Sequence, residues 1–89
     1  MNLTFRNHAL KRMFERNIEI EDVKRVIKTG EIIADYPEDQ PYPSYLILGW
    51  KNSQPLHIVY ANNENGDVII ITAYYPDPFI WNDDFTRKK

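Results

Sequence analysis

The hydrophobic pattern changes period once, at Gly30-Glu31, and that change fixes the fold class. Before it, apolar residues recur at spacings of three and four; after it, β-branched and aromatic residues alternate with period two. The chain therefore reads as α+β, with two amphipathic helices first and a twisted antiparallel sheet of about four strands second. Eighty-nine residues supply one hydrophobic core and not two, so residues 1–89 form a single domain.

The first helix is expected over His8 to Arg16, with Asn7 as its N-cap and Leu10, Met13 and Phe14 as its apolar stripe, extended by Ile18. Asn17 follows the last helical residue and tolerates the left-handed backbone that such an end requires. The second helix runs from about Ile20 to Thr29, burying Ile20, Val23, Val26 and Ile27. Its acidic residues, Glu19, Glu21 and Asp22, stand at the start and its basic ones, Lys24, Arg25 and Lys28, towards the end, as the helix dipole favours. Gly30 is expected to close it in the left-handed conformation.

Strands are expected at about 31–36, 44–51, 55–62 and 67–75, with a further short edge strand within residues 2–6. Lys51-Asn52-Ser53-Gln54 and the Asn65-Gly66 pair read as hairpin connections, so the last three of the four strands form an antiparallel meander. Pro37, Pro41 and Pro43 stiffen the segment between the first two. Pro76 and Pro78 end the last strand, leaving Phe79, Ile80 and Trp81 to dock on the core and residues 86–89 to fray.

Composition narrows the function classes. Without cysteine there is neither a disulfide framework nor a thiolate metal site, which suits a reducing compartment. The N-terminus lacks the layout of a signal peptide, and no apolar run is long enough to span a bilayer, so a cytoplasmic location is expected. The net charge of −2 divides into +3 over residues 1–28 and −5 over residues 29–89. A basic helical part on an acidic body draws an anion only to a defined patch.

That patch is suggested by His8, Arg12 and Arg16, which at i, i+4 and i+8 share one side of the first helix, with Glu15 beside them and Lys11 at the margin. An imidazole next to two guanidiniums suits proton transfer at a phosphate, since Arg grips the oxygens and His moves the proton. The ordinary alternative is a solvated helix face with a Glu15 ion pair. His57, in Leu56-His57-Ile58-Val59-Tyr60, alternates with the apolar side chains; it is either a satisfied half-buried residue or a base on an open face. Tyr60 and Tyr74 offer phenol donors or stacking surfaces for bases, or else packing in the sheet. Two histidines 49 positions apart make no preformed zinc site, three scattered glycines no phosphate loop, and no nucleophile elbow is present.

The string His8-Ala9-Leu10-Lys11-Arg12-Met13-Phe14-Glu15-Arg16, followed by Gly30-Glu31-Ile32-Ile33, Asp35-Tyr36-Pro37, Pro55-Leu56-His57-Ile58-Val59 and Thr72-Ala73-Tyr74, resembles the domain-of-unknown-function family numbered 4258. That family is similar in fold to the RelE-like toxins, small ribonucleases of toxin-antitoxin pairs. The resemblance implies metal-independent RNA cleavage without a cofactor, in which a 2′-hydroxyl attacks the adjacent phosphate. The pattern falls on His8 and His57 for proton transfer and on Arg12 and Arg16 for the phosphate, and it implies an antitoxin protein as the controlling partner; Lys11, Tyr60 and Tyr74, read from the residues themselves, are the candidate substrate contacts. The sequence departs from RelE-like ribonucleases in its net acidity and in offering only Lys51 as a strand cation. A module of the same fold that binds protein or nucleic acid without catalysis is the alternative.

Overall fold

A computed structural model describes residues 2–89. A short strand, β1 (Leu3–Phe5), precedes the helices α1 (Asn7–Glu15) and α2 (Ile20–Thr29). Four strands follow: β2 (Glu31–Tyr36), β3 (Ser44–Lys51), β4 (Gln54–Asn62) and β5 (Val68–Tyr74). The change of period at Gly30-Glu31 is thus the boundary between helices and sheet.

The sheet has five strands in the order β1-β5-β4-β3-β2. It is mixed rather than purely antiparallel, because β1 pairs parallel with the start of β5, Leu3 to Phe5 opposite Val68 to Ile70. Three residues carry too little alternation to announce a strand partner. The pairing is a tertiary contact between the two ends of the domain.

The turn chemistry follows the residues. Asn52 and Ser53 take φ of 51° and 71°, the two positive values of a type I′ hairpin, and bring Lys51 opposite Gln54. In the β4–β5 connection the Asn63 Oδ1 accepts from the N–H groups of Asn65 and Asp67, while Gly66 supplies φ of 82°. Asn17 adopts φ of 57°, the left-handed conformation expected after the first helix. Asn7, by contrast, is the first residue of α1, and Arg6 holds the N-cap position without a side-chain hydrogen bond.

Gly30 closes α2 for a different reason than a left-handed cap. Its φ is −76°, open to any residue, but a Cβ there would stand 2.6 Å from the carbonyl oxygens of Leu48 and Val26. Gly49 is governed by the same approach, since its Cβ would meet Val26 Cγ2 at 2.5 Å. Two glycines therefore let the end of α2 rest directly on β3.

The helices cover one face of the sheet. Ala9, Met13, Ile18, Val23 and Val26 pack there against Ile47, Leu56, Ile58, Ile70 and Ala73. The stripe of α1 is centred on Ala9 and Met13 rather than on Leu10 and Phe14, which stay 41% and 88% exposed. Ile20 of α2 is 45% exposed as well. The small Ala9 brings the helix close to β5, and this rotates the larger side chains outwards.

The opposite face is also covered. Leu46, Leu48 and Ala61 are buried there, Trp81 of the C-terminal segment packs on His57, and Asp39 of the loop before β3 accepts a hydrogen bond from buried Ser44. Of the docking trio expected at the end of the chain, only Trp81 docks; Phe79 and Ile80 are exposed. Residues 86–89, expected to fray, turn back: Trp81 bridges to Lys88, and the Lys89 N–H donates to the Ile80 carbonyl at 2.9 Å.

One polar group binds the layers together. Asp22 is 6% exposed and accepts from the Glu19 N–H at 2.8 Å, from Lys51 Nζ at 2.9 Å and from Arg25 Nη2 at 3.2 Å. Lys51 Nζ also donates to the Asn17 carbonyl. Burial raises the Asp22 pKa, but the hydrogen bonds from Glu19, Lys51 and Arg25 outweigh it and hold the carboxyl below its ordinary value.

Gly49→Ala is expected to lower stability by about 1–3 kcal/mol, because the added methyl has only the buried Val26 side chain to displace. Urea unfolding measures it; an unchanged midpoint would mean that α2 does not sit as close to β3 as described.

Candidate functional site

Alternation along β4 decides where its histidine points. Leu56 and Ile58 enter the helix-side core, so His57 faces the other side, in register with Leu48 of β3 and Tyr74 of β5. It is fully buried. The Trp81 ring stands edge-on at 4.5 Å between centroids, and the Tyr74 ring at 5.3 Å.

Both imidazole nitrogens are engaged. Nε2 lies 2.9 Å from the Phe85 carbonyl oxygen, an acceptor only, so Nε2–H is the donor. In the neutral ring Nδ1 is then left to accept from the Tyr74 hydroxyl at 3.2 Å. Burial depresses the His57 pKa, partly offset by the Phe85 carbonyl. Burial likewise raises the Tyr74 phenol, with a smaller contribution from Tyr36. As folded, this is a closed and satisfied polar pair that no substrate atom reaches.

The helix residues have a different setting. His8 is exposed, and Arg12 is paired with Glu15 at 3.2 Å with both side chains more than two-fifths exposed. Arg16 reaches further in: its Nη1 donates to the Ala73 carbonyl at 2.8 Å. Because β1 ends opposite Ile70, the outer edge of β5 beyond that residue has no strand partner among the described residues, and Arg16 caps it. His8, Arg12 and Arg16 thus follow one flank of α1 towards an open strand edge. Lys11 is exposed at the margin of that flank.

Helical spacing sets His8 and Arg12 on one flank of α1, Arg16 at the C-cap turns to β5, and all three are separated from His57. Helix α1 lies on one side of the sheet and the imidazole of His57 on the other. Tyr60 is half-buried against the helix-side core beside Tyr45, 5.4 Å between ring centroids, whereas Tyr74 faces His57. Burial, and then Tyr45, raises the Tyr60 phenol. The two tyrosines therefore serve opposite faces. Among the described residues no three His, Asp or Glu side chains cluster as a metal site would require.

Sequence reasoning missed two features. The Asp22–Lys51 pair spans 29 positions, and no local pattern signals it. The exposed apolar group Leu10, Phe14 and Ile20 was hidden by its own spacing, which is that of a core stripe. Ala9 and Met13, at i and i+4, formed the rival stripe that could have revealed it.

Residues 5–75 match the family described as Domain of unknown function (DUF4258). The chain belongs to that family. The DUF4258 match takes in β4, β5, both helices and the His8–Arg16 flank, and it stops before Trp81 and Phe85, the residues that close over His57. No curated protein and no solved structure matches the chain. No helix of the described residues is long and apolar enough to cross a membrane.

Loss of the His57 ring leaves a cavity, the Tyr74 hydroxyl and the Phe85 carbonyl without partners, so His57→Ala should cost about 2–4 kcal/mol. A pH effect accompanies it. The unfolded chain protonates His57 near 6.5 and the folded chain resists, so its share of stability is complete above 6.5 and declines as pH falls towards the depressed folded value. Urea midpoints measured from pH 8 to 5 should fall for the wild type and flatten for His57→Gln; parallel curves would rule out a buried neutral imidazole.

Proposed function

We propose that this chain is a RelE-like, metal-independent RNA endonuclease of a toxin-antitoxin pair, with its chemistry on the outer flank of α1. The observation that carries this reading is the row of His8 and Arg12 on one flank of α1, ending in Arg16 at the unpaired edge of β5, with His8 exposed to solvent. Two helices against a mainly antiparallel sheet agree with it in architecture.

In this reading Arg12 turns from Glu15 to the scissile phosphate, exchanging one exposed carboxylate for two anionic oxygens. Lys11 adds charge at the margin. Arg16 keeps its bond to Ala73 and fixes the flank against the strand. His8 takes the proton from the 2′-hydroxyl as its oxygen attacks phosphorus, the bond to the 5′-oxygen breaks, and water protonates the departing oxygen. A cyclic phosphate and a 5′-hydroxyl result. The substrate backbone would follow the α1 flank, and Tyr60 and Tyr74 would contribute through the sheet rather than by stacking on bases.

His57 belongs to the protein's interior in this scheme and not to the reacting atoms, since its nitrogens are both occupied beneath the C-terminal segment. The same closure favours the second reading, a binding module without catalysis, because it leaves one reachable imidazole where the reaction has two proton transfers. That module would grip a polyanion by the same flank.

The two readings separate on purified protein and a fluorescent single-stranded RNA. Wild type should cleave and leave cyclic-phosphate ends. His8→Ala should cleave roughly 100-fold more slowly or less, and Arg12→Ala should mainly raise KM. RNA left intact by wild type with its partner removed would sink the nuclease reading, and binding without cleavage that is lost in Arg12→Ala would establish the module.

A further inference from the structure

Helix α1 has a second flank, and it is apolar. Leu10 and Phe14 lie on it, turned towards the start of α2, where Ile18 and Ile20 complete a shallow groove. Phe14 is 88% exposed, a value that no packing within this chain accounts for. Single exposed apolar side chains are ordinary, but these are neighbours around one depression of about 380 Å³. The helix-side core is already filled by Ala9, Met13 and Val23, and the groove is lined by residues 10–21 alone.

The rim has a sign. The charged side chains lining the groove are Glu19 and Glu21, both carboxylates. Glu21 has Lys24 at 3.6 Å, where it is itself 79% exposed, so its charge remains available at the rim. An apolar floor with Glu21 and the capping Glu19 along its α2 border is complementary to an amphipathic segment whose apolar face carries lysine or arginine on that side. The groove offers no convergent donors or acceptors that would orient a small molecule.

We infer that the Leu10/Phe14/Ile20 groove docks an amphipathic, basic-flanked helical segment of a partner protein. The segment inserts apolar side chains at i and i+3 or i+4 between α1 and α2, and its flanking cations face Glu19 and Glu21. The docking flank and the His8–Arg12–Arg16 flank are on different sides of α1, so a segment held here leaves the polar row uncovered unless it extends around the helix. The antitoxin of the preceding reading is one protein that can carry such a segment, but docking does not depend on RNA cleavage.

Two 16-residue peptides test it, each with leucine at i, i+4, i+7 and i+11, one flanked by lysines and the other by glutamates, in a fluorescence anisotropy titration. The lysine-flanked peptide should bind saturably and at least about tenfold more tightly than the other. Phe14→Asp, whose exposed position leaves the fold and its circular dichroism unchanged, should weaken it by at least about tenfold. Glu19→Gln combined with Glu21→Lys should abolish or invert the preference. Absence of saturable binding, equal binding of both peptides, or insensitivity to Phe14→Asp overturns the inference. So does a concentration-dependent dimer in light scattering that Phe14→Asp dissolves, since a second copy would then be the occupant. RNA cleavage measured on the same variants separates the two proposals: Phe14→Asp should cleave as wild type does, whatever its peptide affinity.

Discussion

A central strand buried on both faces is the constraint on which the rest of the molecule depends. β4 lies between β3 and β5, with Leu56 and Ile58 under the helices, His57 under the C-terminal segment and Ala61 buried on the same side as His57. Side chains alternate across a strand, and both described helices lie on one face, so the apolar residues of the second face are covered by other material. That material is the proline-containing loop and the segment after Pro76. This is why the end of the chain turns back on itself, and why a histidine in the middle of the sheet is closed off.

The helix side is organised by close approach. Gly30 and Gly49 remove two methyl groups where α2 meets β3, and Ala9 does the corresponding service for α1 over β5. Asp22 then ties the start of α2 to the β3–β4 hairpin through Lys51. The cost of burying that carboxylate is offset by its three donors, and none of its hydrogen-bonding capacity is left orphaned in the interior. Lys51, a cation at the end of β3, is therefore engaged in holding helices to sheet.

Rotation of α1 by its small residue decides what each of its flanks shows. With Ala9 and Met13 inwards, one flank carries His8 and Arg12, with Arg16 at the C-cap reaching the unpaired edge of β5, and the other carries Leu10 and Phe14 into solvent. The two flanks differ in chemistry as much as two sites on separate elements would. A helix of nine residues thus presents a polar flank and an apolar flank to solvent.

The sequence by itself determined the order of the elements and nearly all their limits: the second helix, the strands from Glu31 onwards, the hairpin at Asn52-Ser53 and the left-handed Asn17. These are local matters, set by period, turn residues and backbone sterics within a few positions. It also gave DUF4258 membership through a string that includes the His8–Arg16 row. What only the tertiary structure decided is which side each element shows. The parallel partner of β1, the inward turn of Ala9 in place of Leu10, the steric need for Gly30 and the closure of Trp81 and Phe85 over His57 all join residues far apart in the chain. His8 and His57 read alike as candidates because a sequence assigns a residue to a face, whereas what covers that face is settled by segments elsewhere.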